Sequence, residues 1–523
     1  MDVHHTLIDR LSTGTNGFIL AYLLNAAGVF MGVRRAGIRG LMLLKVPFTA
    51  MVVFIVSLLP IALIQEGLLH DKPFFVQAVS STGLLVFCGF IGGLLFVRGS
   101  SSGHQRGTLL DEQPPRPGPK IRKSKCLTLA GLPLDPTDET KHFKLIGTTG
   151  TGKSTAIREL LVGALRRGDR AVIADPDGSY LNRFYDPSRG DVILNPFDPR
   201  AARWDLFGEM QTPTDADQLS RSLIADTEGP ERNWRNYARV FLTSLLRQLH
   251  RVKHHDVAEL YQLLSVTPLD DLRELLNDTP AGPYLAQDNG KFFGAVRAVA
   301  NTHLAALEHI ATQKSRDTLA VRDWIKRRAP GVLFLPYQAN EIATLRSLIS
   351  TWMRIAIFDT MSQPQGEDGD QRLWFVIDEL DALGQIDGLK DALARLRKFG
   401  GRCVLGFQSI AQVSGTYGHA EAQTIVENCG NTLILRCSAS ENGGTARFAS
   451  KLIGEREYTR EHVSESRGAG LFSRAQATKS TSIQHVTEAA VLPSQIEQLP
   501  DLEGFLKFAS TPEWRRVRLS RQT

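Results

Sequence analysis

An α/β fold with a mostly parallel sheet, interrupted by an all-α insertion and preceded by a transmembrane helical hairpin, is what this sequence predicts. Three observations carry that expectation. Two uncharged apolar stretches occur in the first 97 residues, a strand, a glycine-rich loop and a helix follow one another at 143–166, and further short apolar runs alternate with helical patterns beyond them. At 523 residues, with 42% hydrophobic and 22% charged residues, the chain lies close to globular averages, which excludes a peptide-like, fibrous or wholly disordered protein.

The amino-terminal region, 1–97, reads as a membrane anchor. Val46 to Ile64 and Phe74 to Val97 are uncharged and each about one bilayer crossing long, with Gln65 to Pro73 as a tight connection. Basic residues lie outside the pair, at Arg34–Lys45 and Arg98–Lys125, so the positive-inside rule places both termini in the cytoplasm. An earlier stretch, Phe18 to Val33, is shorter, contains Asn25, and is read as interfacial or core-forming. Residues 98–125 are rich in Ser, Gly, Pro and basic side chains and read as a linker whose charge suits the anionic headgroups of membrane lipid. Seven Lys/Arg against two acids in this linker account for most of the chain's net charge of +6, and residues 126–523 carry a net −1. The pI near 9.0 therefore does not mark a nucleic-acid binder. Five cysteines (Cys88, Cys126, Cys403, Cys429, Cys437), odd in number and without CxxC, read as reduced packing residues.

After the linker, the strand Phe143–Ile146 leads into Gly147, Thr148, Thr149, Gly150, Thr151, Gly152, Lys153, Ser154 and Thr155, and then into a helix with Ile157, Leu160, Leu161 and Leu165 on one face. Strand, GxxxxGK[ST] and helix in this order form a P-loop, or Walker A motif. The glycines let backbone N–H groups close around phosphate oxygens, Lys153 bridges the β and γ phosphates of ATP, and Ser154 takes Mg²⁺. A later strand, Leu373–Ile377, ends in Asp378-Glu379, a Walker B pair: Asp378 reaches the Mg²⁺ shell and Glu379 orients or deprotonates the attacking water. The strand Arg402–Phe407 ends in Gln408, placed to sense the γ-phosphate and that water. The helix before it closes on Arg395, Arg397 and Lys398, candidates for an arginine finger acting across a subunit boundary or for simple helix-end pairing. An acid after the Walker B aspartate and a Gln-tipped strand point to an ATP-hydrolysing motor; a nucleotide kinase would need a lid and an acceptor pocket, and neither is seen.

Residues 126–214 and 329–523 are assigned to the nucleotide-binding domain and 215–328 to the all-α insertion. In the insertion, Trp234, Tyr237, Phe241, Leu245 and Leu249 are spaced as one helix face, and Arg232, Arg235, Arg239, Arg247, Arg251 and nearby histidines make that helix basic. A solvated face explains this charge as well as a DNA track does. In the tail, Ser464–Ser482 reads as mobile, while Pro493–Leu499 and Phe505–Phe508 suggest a last element returning to the core.

The segments GTTGTGKS, ALRRGDRAVIADPDGSYLNRF, VILNPFD, ERNW, LWFVIDEL and ARLRKFGGRCVLGFQSIAQV together resemble the type IV coupling proteins of bacterial conjugation, the TraD and TrwB group, over most of the chain from Leu127 onward. The resemblance implies a RecA-like P-loop ATPase core. It also implies a homohexamer anchored in the bacterial inner membrane and DNA-dependent ATP hydrolysis. By motif it carries over Walker A as Gly147–Thr155, Walker B as Asp378 and Glu379, the third motif as Gln408 and the trans arginine as Arg397. The implied partners are relaxosome proteins, the channel components of the type IV secretion system, and DNA, as the single strand transferred with its relaxase or as duplex. The implied function is to couple the relaxosome to the secretion channel and drive DNA transfer. The alternatives are a double-stranded DNA translocase of the chromosome-segregation type, for which the tail leaves little room for a winged-helix reader, and an ATP-regulated recruitment platform for secreted protein effectors.

Overall fold

The computed structural model describes residues 15–35, 47, 49–56, 80, 82–92, 104–111, 126–227, 229–364, 372–440, 443–467 and 477–520. They divide into two units, one within 1–105 and 457–486, the other within 106–456 and 487–523.

Ten strands of the second unit form one sheet: β1 Leu109–Asp111, β2 Phe143–Ile146, β3 Arg170–Pro176, β4 Val192–Ile193, β5 Val332–Tyr337, β6 Leu373–Ile377, β7 Gly401–Phe407, β8 Asn431–Ile434, β9 Glu503–Lys507 and β10 Glu513–Arg518. Their order across the sheet is β1-β10-β9-β8-β2-β7-β6-β3-β5-β4. From β8 to β4 all neighbours are parallel; β9 runs antiparallel to β8 and β10 to β9.

The parallel strands are apolar along their length because both faces are covered. Leu373, Phe375 and Ile377 of β6 enter one core while Trp374 and Val376 enter the other, and β3 divides in the same way. The helix Lys153–Arg167 covers one face with Ala156, Ile157, Leu160, Leu161 and Ala164; the helix Ile342–Met361 covers the other with Leu345, Leu348, Ile349, Trp352 and Met353. Register then aligns the carboxyl ends: Ile146 of β2 lies beside Phe407 of β7, and Ile377 of β6 beside Ala174 of β3. The residues that follow these strands emerge along one edge, where ligands of open α/β sheets bind.

Helices occupy most of 213–327, from Pro213–Leu223 and Arg232–Arg251 through Gly290–Leu304 to Val321–Arg327. Their buried side chains, among them Phe241, Leu245 and Phe293, share a core with the sheet face that holds Leu333 and Phe375. The buried stripe of Arg232–Arg251 sits to one side of the predicted one. Ala238, Leu242 and Leu246 join Phe241, Leu245 and Leu249, whereas Trp234 remains 38% exposed and packs its ring on Phe292. The basic residues of this helix are largely paired, Arg232 and Arg239 with Asp226, Arg235 with Glu231 and Arg247 with Asp217.

Two expectations are corrected. Residues 98–125, read as a linker, contain the strand His104–Gly107 and β1, which pairs parallel with the otherwise open edge of β10; residues 112–125 lie outside the described residues. Ser464–Ser482, read as mobile, overlaps the strands Glu455–Arg467 and Ala477–Ala489, with 468–476 outside the described residues. Their Thr, Val and Ile content suits a pleated surface better than its Ser and Gly suggested. The returning tail is observed as the helix Pro493–Glu497 followed by β9 and β10.

In the first unit, Thr15–Arg35 is one helix containing the Phe18–Val33 stretch. It packs closely on the helical residues 82–92: a Cβ at Gly28 would fall 2.2 Å from the Val86 carbonyl oxygen, and one at Gly89 2.3 Å from that of Asn25. The buried Asn25 amide donates to the Leu85 carbonyl at 3.1 Å. Ile19, Leu20, Leu23, Phe30, Met51, Ile55, Val56 and Phe87 are exposed. Among the described residues no helix is long and apolar enough to cross a membrane. Of the proposed hairpin, 46–64 and 74–97, only 47, 49–56, 80 and 82–92 fall within them, and they are helical.

Candidate active site

At the end of β2 the chain turns directly into Gly147–Thr155. A side chain at Gly147 would press to 2.8 Å from both Leu435 Cβ and Thr151 Oγ1. Gly150 and Gly152 have φ of +78° and +120°, which L side chains resist. Gly152 is also the N-cap of Lys153–Arg167 and supplies no side-chain cap, so the first N–H groups of the helix remain for an anion. Thr155, half-buried, sits in the first turn. The loop is braced from the far end of the sequence. Thr148 donates its N–H and hydroxyl to the Arg436 carbonyl at 2.9 and 3.2 Å, and the Leu502 N–H donates to the Thr151 carbonyl at 2.9 Å.

The predicted acids meet this loop. Ser154 Oγ donates to Asp378 Oδ2 at 2.7 Å across 224 positions of sequence. The Tyr180 hydroxyl donates to the same oxygen at 2.7 Å, and Asp378 Oδ1 is buried without a hydrogen-bond partner. Gln408 bridges Walker B to Walker A: its Nε2 donates to Glu379 Oε1 at 2.8 Å and its Oε1 accepts from Thr149 Oγ1 at 2.9 Å. The Lys153 ammonium donates to the carbonyls of Gly147 and Thr148 at 2.5 and 3.4 Å.

Burial lowers the Lys153 pKa, opposed by the charges of Asp378 and Glu379. Burial likewise raises that of Glu379; the Gln408 hydrogen bond opposes this and neighbouring Asp378 adds to it. Asp175, at the end of β3, is pushed up to about 6 by burial despite accepting the N–H groups of Tyr180 and Leu181.

Lys153, Ser154, Asp378, Glu379, Gln408 and Thr149 are thus brought into one cluster. Arg397 is not among them. It is exposed, in the turn Arg397–Phe399 before β7, and the length of β7 separates it from the loop of its own chain by about 20 Å. Tyr180, Asp175 and Arg436 were missed. Asp175 carried a signal, an acid at a strand end followed by Asp-Gly, but Tyr180 looks in sequence like any core aromatic.

The donors present fit a magnesium-bound nucleotide. Ser154 and Asp378 are hard oxygen donors, and the unpartnered Oδ1 marks where a cation would compensate the buried carboxylate. Among the described residues no three His, Cys, Asp or Glu side chains group as a metal cage. Mg²⁺ is held by one or two protein oxygens together with phosphate and water, and Ser154 and Asp378 supply two such oxygens.

Comparison with known proteins agrees with this geometry. The family model described as the type IV secretion-system coupling protein DNA-binding domain matches residues 126–520. Coupling protein TraD of Escherichia coli K12 is 31% identical over 392 residues, 74% of this chain and 53% of that protein. Protein VirD4 of Rhizobium radiobacter is 24% identical over 205 residues, 39% of this chain and 28% of that protein. The chain therefore spans about half the length, or less, of these curated relatives. Among solved structures, plasmid coupling protein TrwB with ADP and Mg²⁺ superposes with a TM-score of 0.67 at 31% identity, covering 77% of this chain and 90% of that one. TrwB with the non-hydrolysable ATP analogue ADPNP gives 0.69 at 30% identity, covering 80% and 95%. With an α/β P-loop fold, a joined Walker A and Walker B, and a family match over most of its length, this chain belongs to the type IV secretion-system coupling proteins.

Proposed function

We propose that this protein is a membrane-anchored, DNA-dependent ATPase that couples the relaxosome to a type IV secretion channel and drives DNA transfer in conjugation. The observation that carries the reading is the Ser154–Asp378 hydrogen bond, which joins the two halves of an ATPase site, with Glu379 and Gln408 beside it. Bound Mg²⁺ supplies charge neutralisation on the phosphates. Lys153 would exchange its two backbone carbonyls for the β and γ phosphates, and Ser154 Oγ and Asp378 would hold the cation, the Ser154 O–H still donating to Asp378. Glu379, held by Gln408, takes the proton of the attacking water, and its raised pKa suits a general base. Because Arg397 lies at the opposite end of β7 from its own loop, its role as a finger requires a neighbouring subunit. A homohexameric ring supplies one.

The anchor is a transmembrane hairpin at 46–64 and 74–97 in the bacterial inner membrane, with both termini cytoplasmic. Its support is the uncharged sequence of the two stretches and, within their described residues, Gly89 turned inward and Met51, Ile55 and Phe87 turned outward. The boundary of the all-α domain, 215–328, is proposed on the helical run alone.

The test is ATP turnover by the full chain in detergent with single-stranded DNA, duplex DNA or a secreted partner protein added. Stimulation by single-stranded DNA is the expected result. Stimulation by duplex alone favours a chromosome-segregation type pump, and stimulation by none of the three overturns the DNA-motor reading.

A further inference from the structure

We propose that Tyr180 is a positioning residue for the Walker B carboxylate, its hydroxyl holding Asp378 in the orientation that accepts a magnesium–nucleotide complex. The inference rests on the ATPase reading above. Asp378 is 4% exposed, and a polar group so removed from water is costly unless hydrogen-bond or ionic partners replace the lost solvent. Its Oδ2 has two donors, Ser154 Oγ and the Tyr180 hydroxyl, each at 2.7 Å, and its Oδ1 has none. The two donors differ in kind. Ser154 belongs to the phosphate loop, and its oxygen must also serve the cation. Tyr180 is fully buried in the core on one sheet face, and its hydroxyl, which also neighbours Ser154, donates to Asp378.

The Tyr180 backbone is fixed as well. Its N–H donates to both oxygens of Asp175 at 3.0 and 3.1 Å, and the Leu181 N–H donates to Asp175 Oδ2 at 2.6 Å. Asp175 closes β3, whose Ala174 pairs with Ile377 of β6, the residue before Asp378. The ends of two adjacent strands are thereby tied through one side chain, from Asp175 to Tyr180 to Asp378. A phenylalanine would fill the same core volume, so packing alone does not account for a hydroxyl whose one acceptor is the Walker B acid. Outer partners of this kind orient metal ligands, and their loss weakens metal affinity about 10- to 100-fold.

The test is Tyr180→Phe in the full chain, with fluorescent mant-ADP binding followed as Mg²⁺ is titrated and again in EDTA. The expected result is an about tenfold higher half-saturating Mg²⁺ concentration, unchanged mant-ADP affinity in EDTA, and ATP turnover that recovers to within about twofold of wild type at saturating Mg²⁺. A magnesium midpoint equal to wild type, or an equal loss of affinity with and without the metal, overturns the proposal. Failure of the wild-type chain to bind mant-ADP at all would instead sink the ATPase reading on which it rests.

Discussion

The two ends of the parallel sheet hold similar chemistry to opposite effect. At the amino ends of the strands Glu139 is buried and takes Arg167 at 2.7 Å and Arg402 at 3.0 Å. Asp169 takes Arg167 and the Trp374 indole N–H, and His142 accepts from the Cys403 N–H while its other nitrogen meets the Leu393 carbonyl. At the carboxyl ends Asp378 and Glu379 lie near Lys153, whose ammonium is spent on backbone carbonyls, Asp175 lies near Asp378, and Asp378 Oδ1 is unpartnered. A saturated charge network is a clamp. An unsaturated one is a binding site, because the free energy of completing it is left to the ligand.

Substitutions that act at only one end break this comparison most sharply. Lys153→Ala removes the cation of the phosphate loop and is expected to lower ATP turnover at least about 10³-fold, while the urea midpoint stays near wild type. Glu379→Gln keeps the Gln408 contact and removes the carboxylate proposed as the base. It should bind nucleotide normally but cut the single-turnover rate by about 10²–10⁴. At the other end, Glu139→Ala leaves Arg402 without its acid and Arg167 with Asp169 alone, and should destabilise by about 3 kcal/mol in urea without a specific effect on KM. A variant that loses activity yet keeps its stability would contradict the clamp.

Acid distinguishes the ends in the opposite sense. For Glu139, burial alone would raise the pKa, but Arg167 and Arg402 outweigh it and hold the value low, so its stabilisation is present above the ordinary carboxylate range and is lost as pH falls through the folded value. Asp175 is raised to about 6, so its contribution is present below the unfolded value of 3.8 and is lost as pH rises toward 6. Urea midpoints of wild type should accordingly fall relative to Asp175→Asn between pH 4 and 6, and then run parallel. The smallest effect expected is from Thr149→Val, which frees one side of the Gln408 amide: a roughly threefold lower kcat at unchanged KM, with Thr149→Ser restoring the rate.

Legibility followed periodicity. Strands β2 and β6 were predicted with the bounds observed, because strands buried on both faces carry continuous apolar runs that few other structures need. The strands Glu455–Arg467 and Ala477–Ala489 were not, because their composition resembles that of a linker. Within the site, the Walker residues were legible because phosphate binding imposes a glycine spacing. Tyr180 was not, because nothing local separates a phenol buried for its ring from one buried for its hydroxyl. Nor was the bracing of the loop by Arg436 and Leu502, which lies more than 280 residues away along the chain.

By itself the sequence determined the family, the glycine-rich loop and the strands beside it, and named two acids and a glutamine as candidates. Each depends on short-range geometry, and short-range geometry leaves a spacing in the chain. Only the tertiary structure decided which hydroxyls hold Asp378, that Glu379, Gln408 and Thr149 form one chain of hydrogen bonds, and that Arg397 stands at the far end from its own loop. Those relations depend on strand order and register, which bring together residues that no local pattern connects.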